Sequence, residues 1–359
     1  LIIFQYVSGI MSVNFINFGG RTRMTTQTQR FDGLCLDQDD VSPQELSRLR
    51  RQLEDRIGHH LAESPDQADL LTKAMRAGAL GAGKRMRPLL LMLVARDLGC
   101  DSPALADVAC AVEMVHAASL ILDDMPCMDN AMLRRGKPTV HVQFGEDVAI
   151  LAAIGLLSRA FGIVASAREI PAAIRARMVA RLSETIGDQG LVKGQFLDLR
   201  GGQRSAADIA LTNELKTGVL LGVAVDMAAI IAETDDCVAA SLRAFALAAG
   251  HAFQIRDDFQ DGPGNDSAVT GKDTGKDLGK ATLINTVGHD EARRRLEGHL
   301  MDAERHLNAA LGGREPGKGH TGRFVAVLFA QTHPGLRSVS AAPGANLHAA
   351  GARVSLARH

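Results

Sequence analysis

The sequence predicts an all-α fold, and three observations carry that reading. Long stretches between residues 41 and 311 repeat apolar side chains every three or four residues, the spacing that lines one helix face. The breaks between those stretches are short and built from Gly, Pro or Asp. Aromatics are scarce, with 12 Phe, 1 Tyr and no Trp in 359 residues, and β-branched runs are few, so a sheet-rich fold is disfavoured and no strand is expected.

Residues 1–40 show no sustained period and close on the acids Asp37, Asp39 and Asp40, so they read as a flexible extension. Their apolar start lacks the basic flank and small-residue cleavage site of a secretory signal. Because residue 1 is Leu, Met11 and Met24 are candidate translation starts. Ser42-Pro43-Gln44-Glu45 marks the first helix, with Ser as cap and Pro in the first turn. Leu46, Leu49, Leu53, Ile57 and Leu61 then fall on one face. Further helices are expected over 66–80, 86–99, 103–124, 146–167, 171–187, 191–199, 206–233, 236–261 and 289–311. Val219–Ile231, the longest apolar candidate, is interrupted by Asp226 and reads as a core helix, so no transmembrane segment is expected. After Leu311 the content of Gly, Ala, Pro and Arg rises, and 312–359 reads as a disordered basic tail outside a catalytic domain at 41–311. Neither extension is expected to be needed for activity.

Forty Lys and Arg against 41 Asp and Glu give a net charge of −1. The tail from Gly312 holds six basic residues and one acid, Glu315, so it carries +5 and the rest of the chain −6. A near-neutral chain argues against nucleic acid as a partner, since phosphate backbones demand a basic surface. The five cysteines are odd in number and contain no CxxC, which suits a reducing cytoplasm better than a disulfide or structural zinc framework.

Two carboxylate motifs carry the chemistry. Asp123-Asp124-Met125-Pro126-Cys127-Met128-Asp129 closes an apolar helix, where clustered acids are costly unless a cation neutralises them. Pro126 breaks the helix and lets Asp129 turn back. Asp257-Asp258-Phe259-Gln260-Asp261 closes a second apolar helix, with 257 and 261, and 258 and 261, spaced to share a face and Gln254 one turn earlier. Either motif alone also reads as a solvated helix end; two such motifs point to Mg²⁺, which takes carboxylate and phosphate oxygens. Basic residues alternate with them: Gly83-Lys84-Arg85-Met86-Arg87-Pro88 at a helix start, Arg134-Arg135-Gly136-Lys137, Lys216-Thr217, Lys272 and Lys280. Each pair alone is equally a solvated face, whereas together they suit two phosphorylated ligands, one bridged by metal and one held by Lys and Arg.

In this order, and joined by Gly194-Gln195 and Phe253-Gln254, these motifs resemble the trans-polyprenyl diphosphate synthase family from about residue 45 to 310. The stretch Glu113 to Asp129 is particularly similar to bacterial geranylgeranyl diphosphate synthases. The resemblance implies a helical bundle around a central cavity, a homodimer and a cytoplasmic prenyltransferase. It implies Mg²⁺, roughly three ions per site, on Asp123, Asp124, Asp129, Asp257, Asp258 and Asp261. The allylic diphosphate would be held by Arg134, Lys216 and Lys272, with Gln195, Thr217 and Gln254 lining the site, and isopentenyl diphosphate by Lys84, Arg87, His116 and Arg135. Asp123, Asp124, Lys216 and Asp257 would carry the catalytic charge stabilisation.

The implied reaction condenses isopentenyl diphosphate with an allylic diphosphate, mainly farnesyl, to geranylgeranyl diphosphate. A farnesyl or longer-chain synthase is the near alternative. A non-catalytic subunit is disfavoured by two intact acidic motifs, and a terpene cyclase by the Gly-Lys-Arg-x-Arg-Pro pattern. Ala118 lies five residues before Asp123, about 7.5 Å deeper along the helix at about 1.5 Å per residue. Farnesyl-producing relatives usually carry an aromatic there, so Ala118 is expected to leave room for the longer product, with Ala117 and Ser119 as small neighbours. The chain departs from the family pattern at Asn130, in the loop after Asp261 and in its tail.

Overall fold

The computed structural model describes residues 2–7, 10–15, 43–62, 69–200, 206–260, 283–312 and 319–330, and the chain divides after Asp40 into two units. In the first unit, β1 (Ile2–Val7) and β2 (Ile10–Phe15) pair antiparallel, from Ile2 opposite Phe15 to Val7 opposite Ile10. This hairpin corrects the expectation of a strand-free extension. Ile-Ile-Phe-Gln-Tyr-Val is rich in β-branched and aromatic residues, and only two residues separate it from its partner, the spacing of a tight hairpin. Residues 16–40 lie outside the described residues.

The second unit is helical as predicted, apart from one short ladder. Its first four helices are α1 (Pro43–His60), α2 (Leu70–Ala79), α3 (Met86–Asp97) and α4 (Leu105–Asp123). After α4, β3 (Leu133–Arg134) pairs with β4 (Lys137–Pro138). There follow α5 (Val140–Phe144), α6 (Glu146–Ser166), α7 (Ala172–Ile186), α8 (Leu191–Arg200) and α9 (Ala206–Asn213). A π-turn over Glu214–Gly218 leads into α10 (Val219–Ile231), then α11 (Asp236–Gln260), α12 (Leu283–Val287), α13 (His289–Leu311) and α14 (His320–Ala330).

Helices α3, α4 and α10 are apolar almost all round and touch one another, so they form the centre. Val108 to Val115 of α4 are buried without a break, as are Leu220, Leu221 and Val223 to Ile230 of α10. The acid inside α10, Asp226, is only 1% exposed and survives because Arg181 of α7 and Arg243 of α11 donate to its two oxygens at 2.6 and 2.7 Å. One buried carboxylate thus ties three helices together. Amphipathic α1 packs outside α3 and α4 on Leu46, Leu49, Leu53 and Ile57.

Local chemistry moves two predicted boundaries. Helix α2 starts at Leu70 because the Asp69 carboxylate accepts from the Thr72 N–H at 2.7 Å. The single helix expected over 206–233 is divided by the π-turn. Neighbouring backbones come close there: a Cβ on Gly194 of α8 would lie 2.7 Å from the Leu215 carbonyl carbon and the Lys216 nitrogen, and one on Gly250 of α11 would lie 3.4 Å from the Gly218 Cα.

The tail reading is corrected at α14, which packs on α3 and buries Thr321, Phe324 and Phe329. Its first N–H groups find an acceptor far away in the chain. The Asp97 carboxylate at the end of α3 accepts from His320 N at 3.0 Å and Thr321 N at 2.8 Å, a partner more than two hundred residues away that no local signal reveals. The apolar spacing Phe324, Val325, Leu328, Phe329 was the legible trace.

Membrane-spanning capacity also differs from expectation. By length and composition alone, α4, α6 and residues 236–259 of α11 are long and apolar enough to cross a membrane. In α4 that surface is spent on packing, while α6 leaves Ile150, Leu151 and Ile154 exposed.

Asp97→Ala is expected to cost about 1–2 kcal/mol by removing the cap of α14. Urea denaturation checks this, and unchanged stability would contradict the assigned anchor.

Candidate active site

Helix α4 delivers Asp124 into the packed interior and Asp123 to a half-buried position beside it. The chain reverses directly after it: Asp129 N donates to the Asp123 carbonyl at 2.9 Å and Ala131 N to the Asp124 carbonyl at 3.1 Å. These bonds satisfy carbonyls orphaned at the helix end. Met125 O accepts from both Met128 N and Asn130 N, and Asn130 takes a left-handed φ of 48° that its short side chain tolerates. Burial pushes the Asp123 carboxyl up to about 6; Asp129 and Asp124 add like charge, while Lys216 and Arg134 oppose the rise. Asp124 is 3% exposed and clamped by Arg134, whose Nε and Nη2 donate to it at 2.6 to 2.8 Å. Burial raises Asp124 too, against the pull of that clamp.

The second cluster ends α11. Gln254 Nε2 donates to Asp258 Oδ1 at 3.1 Å, and Asp257 pairs with Arg256 at 3.0 Å. Asp261 and Lys272 lie outside the described residues.

Cations approach from four elements. Arg87, in the first turn of α3, donates through Nη1 to His116 Nε2 at 3.2 Å. Burial pulls Arg87 down to about 10. Burial, reinforced by Arg87 and Arg135, holds His116 well below the usual imidazole range. His116 is therefore neutral at pH 7. Because a guanidinium only donates, Nε2 is the acceptor and the ring proton sits on Nδ1. That Nδ1, Arg87 Nε and Gln195 Oε1 are all buried without a protein partner. Such atoms cost about 1–3 kcal/mol each unless a ligand completes them. The fields of Arg135 and Asp257 both reach Arg87, so the starts and ends of different helices face one space.

The remaining predicted residues border the same region. Arg135 donates through Nη1 to the Ala82 carbonyl, and a Cβ on Gly83 would lie 2.6 Å from that nitrogen, so a larger residue there would displace the tip of Arg135. Lys84 is exposed on the same loop. Lys216, on the π-turn with half-buried Thr217, bonds Asp198 of α8 at 2.8 Å and acts on Asp123 through its field. Gln195 Nε2 lies 3.8 Å from Met128 Sδ. Ala118 is fully enclosed, on a face of α4 turned about 140° from Asp123 at about 100° per residue. Ser119, one turn before Asp123, is the half-buried small residue on its side. A cavity of about 430 Å³ opens beside Asp124, Arg134 and Arg135, floored by Ala117, Leu120 and Ile121.

Four residues were given no individual role by the sequence reading. Arg85, 3% exposed, donates to Glu113 at 2.8 Å and to the Ala79 and Gly81 carbonyls at 2.9 Å, and so shapes the loop bearing Lys84. Its backbone φ of 49° is held by those contacts. Glu113, a lone acid in the buried run of α4, was a legible sign that a cation must meet it. Asp198, the partner of Lys216, and Arg256 carried no local signal.

The donor set suits Mg²⁺. Among the described residues no group of three His, Cys, Asp or Glu side chains forms a ready-made cage. Burial makes the Asp123 carboxylate costly to ionise in spite of Lys216 and Arg134, and a hard cation beside it would relieve that cost.

The described helices thus form an all-α bundle in which two acidic helix ends lie within reach of buried cations. The polyprenyl synthetase family model matches residues 68–309, and the chain belongs to this family of prenyltransferases. It is 48% identical over 275 residues to a geranylgeranyl diphosphate synthase of Pseudescherichia vulneris, covering 75% of this chain and 88% of that relative. To one of Pantoea ananas it is 49% identical over 275 residues, covering 76% and 88%. Among solved structures, a geranyltransferase of Helicobacter pylori complexed with magnesium and isoprenyl diphosphate superposes with a TM-score of 0.69 at 26% identity, covering 81% of this chain and 98% of that one.

Asp123→Asn separates stability from function. The folded Asp123 titrates near 6, above its ordinary 3.8, so its ionisation destabilises the metal-free protein fully at pH 7. That penalty is relieved as pH falls through about 6 towards 4. The Asn variant is expected to melt above the metal-free wild type at pH 7, by a margin that shrinks on acidification, while losing at least about a hundredfold in turnover. An unchanged melting temperature at pH 7 would contradict the burial assigned to Asp123.

Proposed function

We propose that the chain is a geranylgeranyl diphosphate synthase that condenses isopentenyl diphosphate with an allylic diphosphate, mainly farnesyl diphosphate. The observation that carries this reading is a carboxylate, Asp123, made costly to ionise by burial beside the Arg134-clamped Asp124, together with buried, unpartnered atoms of Arg87, His116 and Gln195. The names of the relatives support it.

In this reading Asp123, Asp124, Asp129, Asp257 and Asp258 would hold Mg²⁺, about three ions with the diphosphate, and Arg134, which clamps Asp124, would stand beside them. Asp261 and Lys272 keep the roles the sequence resemblance implies. Mg²⁺, when bound, supplies positive charge to the departing diphosphate. Arg134 and Lys216 add fixed charge at that leaving group, with Thr217, Gln195 and Gln254 orienting it. Lys84, Arg87, Arg135 and the Nδ1–H of His116 hold the second diphosphate. The allylic C–O bond breaks to leave a carbocation, and the isopentenyl double bond attacks it. The departed diphosphate takes the released proton, so no side-chain base is needed.

A homodimer is supported by the exposed Ile150, Leu151 and Ile154 on α6, an apolar stripe at helical spacing. A cytoplasmic location is supported by the bacterial relatives and by the unpaired Cys100, Cys110, Cys127 and Cys237.

Purified protein incubated with Mg²⁺, isopentenyl diphosphate and each allylic primer is expected to yield geranylgeranyl diphosphate by chromatography; no Mg²⁺-dependent elongation would sink the proposal, and a farnesyl end product would favour the near alternative. In the same assay Ser119→Phe is expected to shorten the product. Ala118→Phe is expected to shorten it too, at a cost of about 1–3 kcal/mol from overpacking; an unchanged profile in both variants would remove α4 as the length determinant. Light scattering is expected to give a dimer for the wild type and a monomer for Ile154→Glu, and a monomeric wild type would refute the interface.

A further inference from the structure

Arg256 is an unusual place for a charge. It is among the largest fully buried side chains, at 2% exposure, directly before the first acid of the second motif. Its guanidinium has two polar tethers. Nη2 reaches Asp257 Oδ1 at 3.0 Å, and Nη1 donates to the Leu328 carbonyl of α14 at 3.1 Å. Two rings enclose it, Phe253 with its centroid 4.1 Å from Cζ and Phe329 of α14 at 5.5 Å. Phe329 also belongs to a cluster with Ala252, Ile255, Ala292 and Leu296, which seals this end of α11 against α13 and α14.

A buried guanidinium is expensive unless its charge is met, and the acid that meets it here is Asp257. Since α14 fixes the guanidinium through a carbonyl and a ring, it also fixes where the Asp257 carboxylate stands. Helix α14 is itself pinned to α3 by Asp97. We infer that α14 acts through Arg256 as a positioning device for Asp257, so that the C-terminal helix, although it lies beyond the end expected for the catalytic domain, sets the geometry of the second acidic motif. This rests on the reading of Asp257 as a ligand of Mg²⁺. Arg256 is then a positioning residue, acting through Asp257.

The test compares full-length wild type, Arg256→Gln, Arg256→Lys and Phe329→Leu. One readout is binding of Mn²⁺ in the presence of inorganic pyrophosphate, followed by the electron paramagnetic resonance of free Mn²⁺. The other is the Mg²⁺ concentration giving half-maximal elongation, with the KM for isopentenyl diphosphate measured alongside. Arg256→Gln is expected to weaken Mn²⁺ binding and raise the Mg²⁺ requirement by about tenfold, with that KM unchanged. Arg256→Lys and Phe329→Leu shift both in the same direction by less. A folded Arg256 variant that binds Mn²⁺ like the wild type overturns the inference, and if the Gln variant does not fold, the Lys variant decides by the same criterion. A wild type that elongates no primer overturns the functional reading instead, which keeps the two failures apart.

Discussion

Both acidic motifs sit at the C-terminal ends of apolar helices, the ends where the helix dipole already points its negative pole. Carboxylates there gain nothing from the backbone and lose hydration to the packing around them, which is why Asp123 is pushed up to about 6. Much of the rest of the site answers that constraint. Arg134 clamps Asp124, Lys216 lends its field to Asp123 while resting on Asp198, and buried Arg256 meets Asp257. The cations of the site thus rest on the protein's own acids.

Holding that arrangement requires close backbone approach and some strain. Glycine at 194 lets α8 meet the π-turn that presents Lys216, and glycine at 83 makes room for Arg135. Three of the four non-glycine residues with positive φ among the described residues, Arg85, Asn130 and Arg135, border the site. Arg85 illustrates how such strain persists: four acceptors hold its buried guanidinium, so its backbone has no cheaper alternative. The π-turn adds an extra residue to a helical turn at Lys216 and Thr217, where α8 and α11 come close.

Net charge is a poor guide to a site of this kind. A chain at −1 contains acids and bases sorted into facing sets, and neutrality over the whole molecule coexists with a strongly anion-directed interior. The same sorting stabilises the scaffold: Asp226 joins α7, α10 and α11, and Asp107 joins α4 to Arg56 and His60 of α1. At Asp107 burial raises the carboxyl, but the hydrogen bonds from Arg56 and His60 outweigh it and hold it below its ordinary range.

What the sequence by itself determined is the helical body, the order of its elements and the chemical character of the site. Helical periodicity is local, and the Asp-rich and basic motifs are contiguous, so both could be read from neighbours a few residues apart. The hairpin at Ile2–Phe15 was legible too, but only to a search for period two. Tertiary structure alone decided the partners: Asp97 capping α14, Asp198 receiving Lys216, Glu113 receiving Arg85, and Leu328 receiving Arg256. It also decided that Ala118 is enclosed while Ser119 lies on the side of Asp123. Those facts depend on which surfaces meet after the chain has folded. A buried charge requires an opposite partner, but nothing in its own stretch of sequence names which distant residue supplies it.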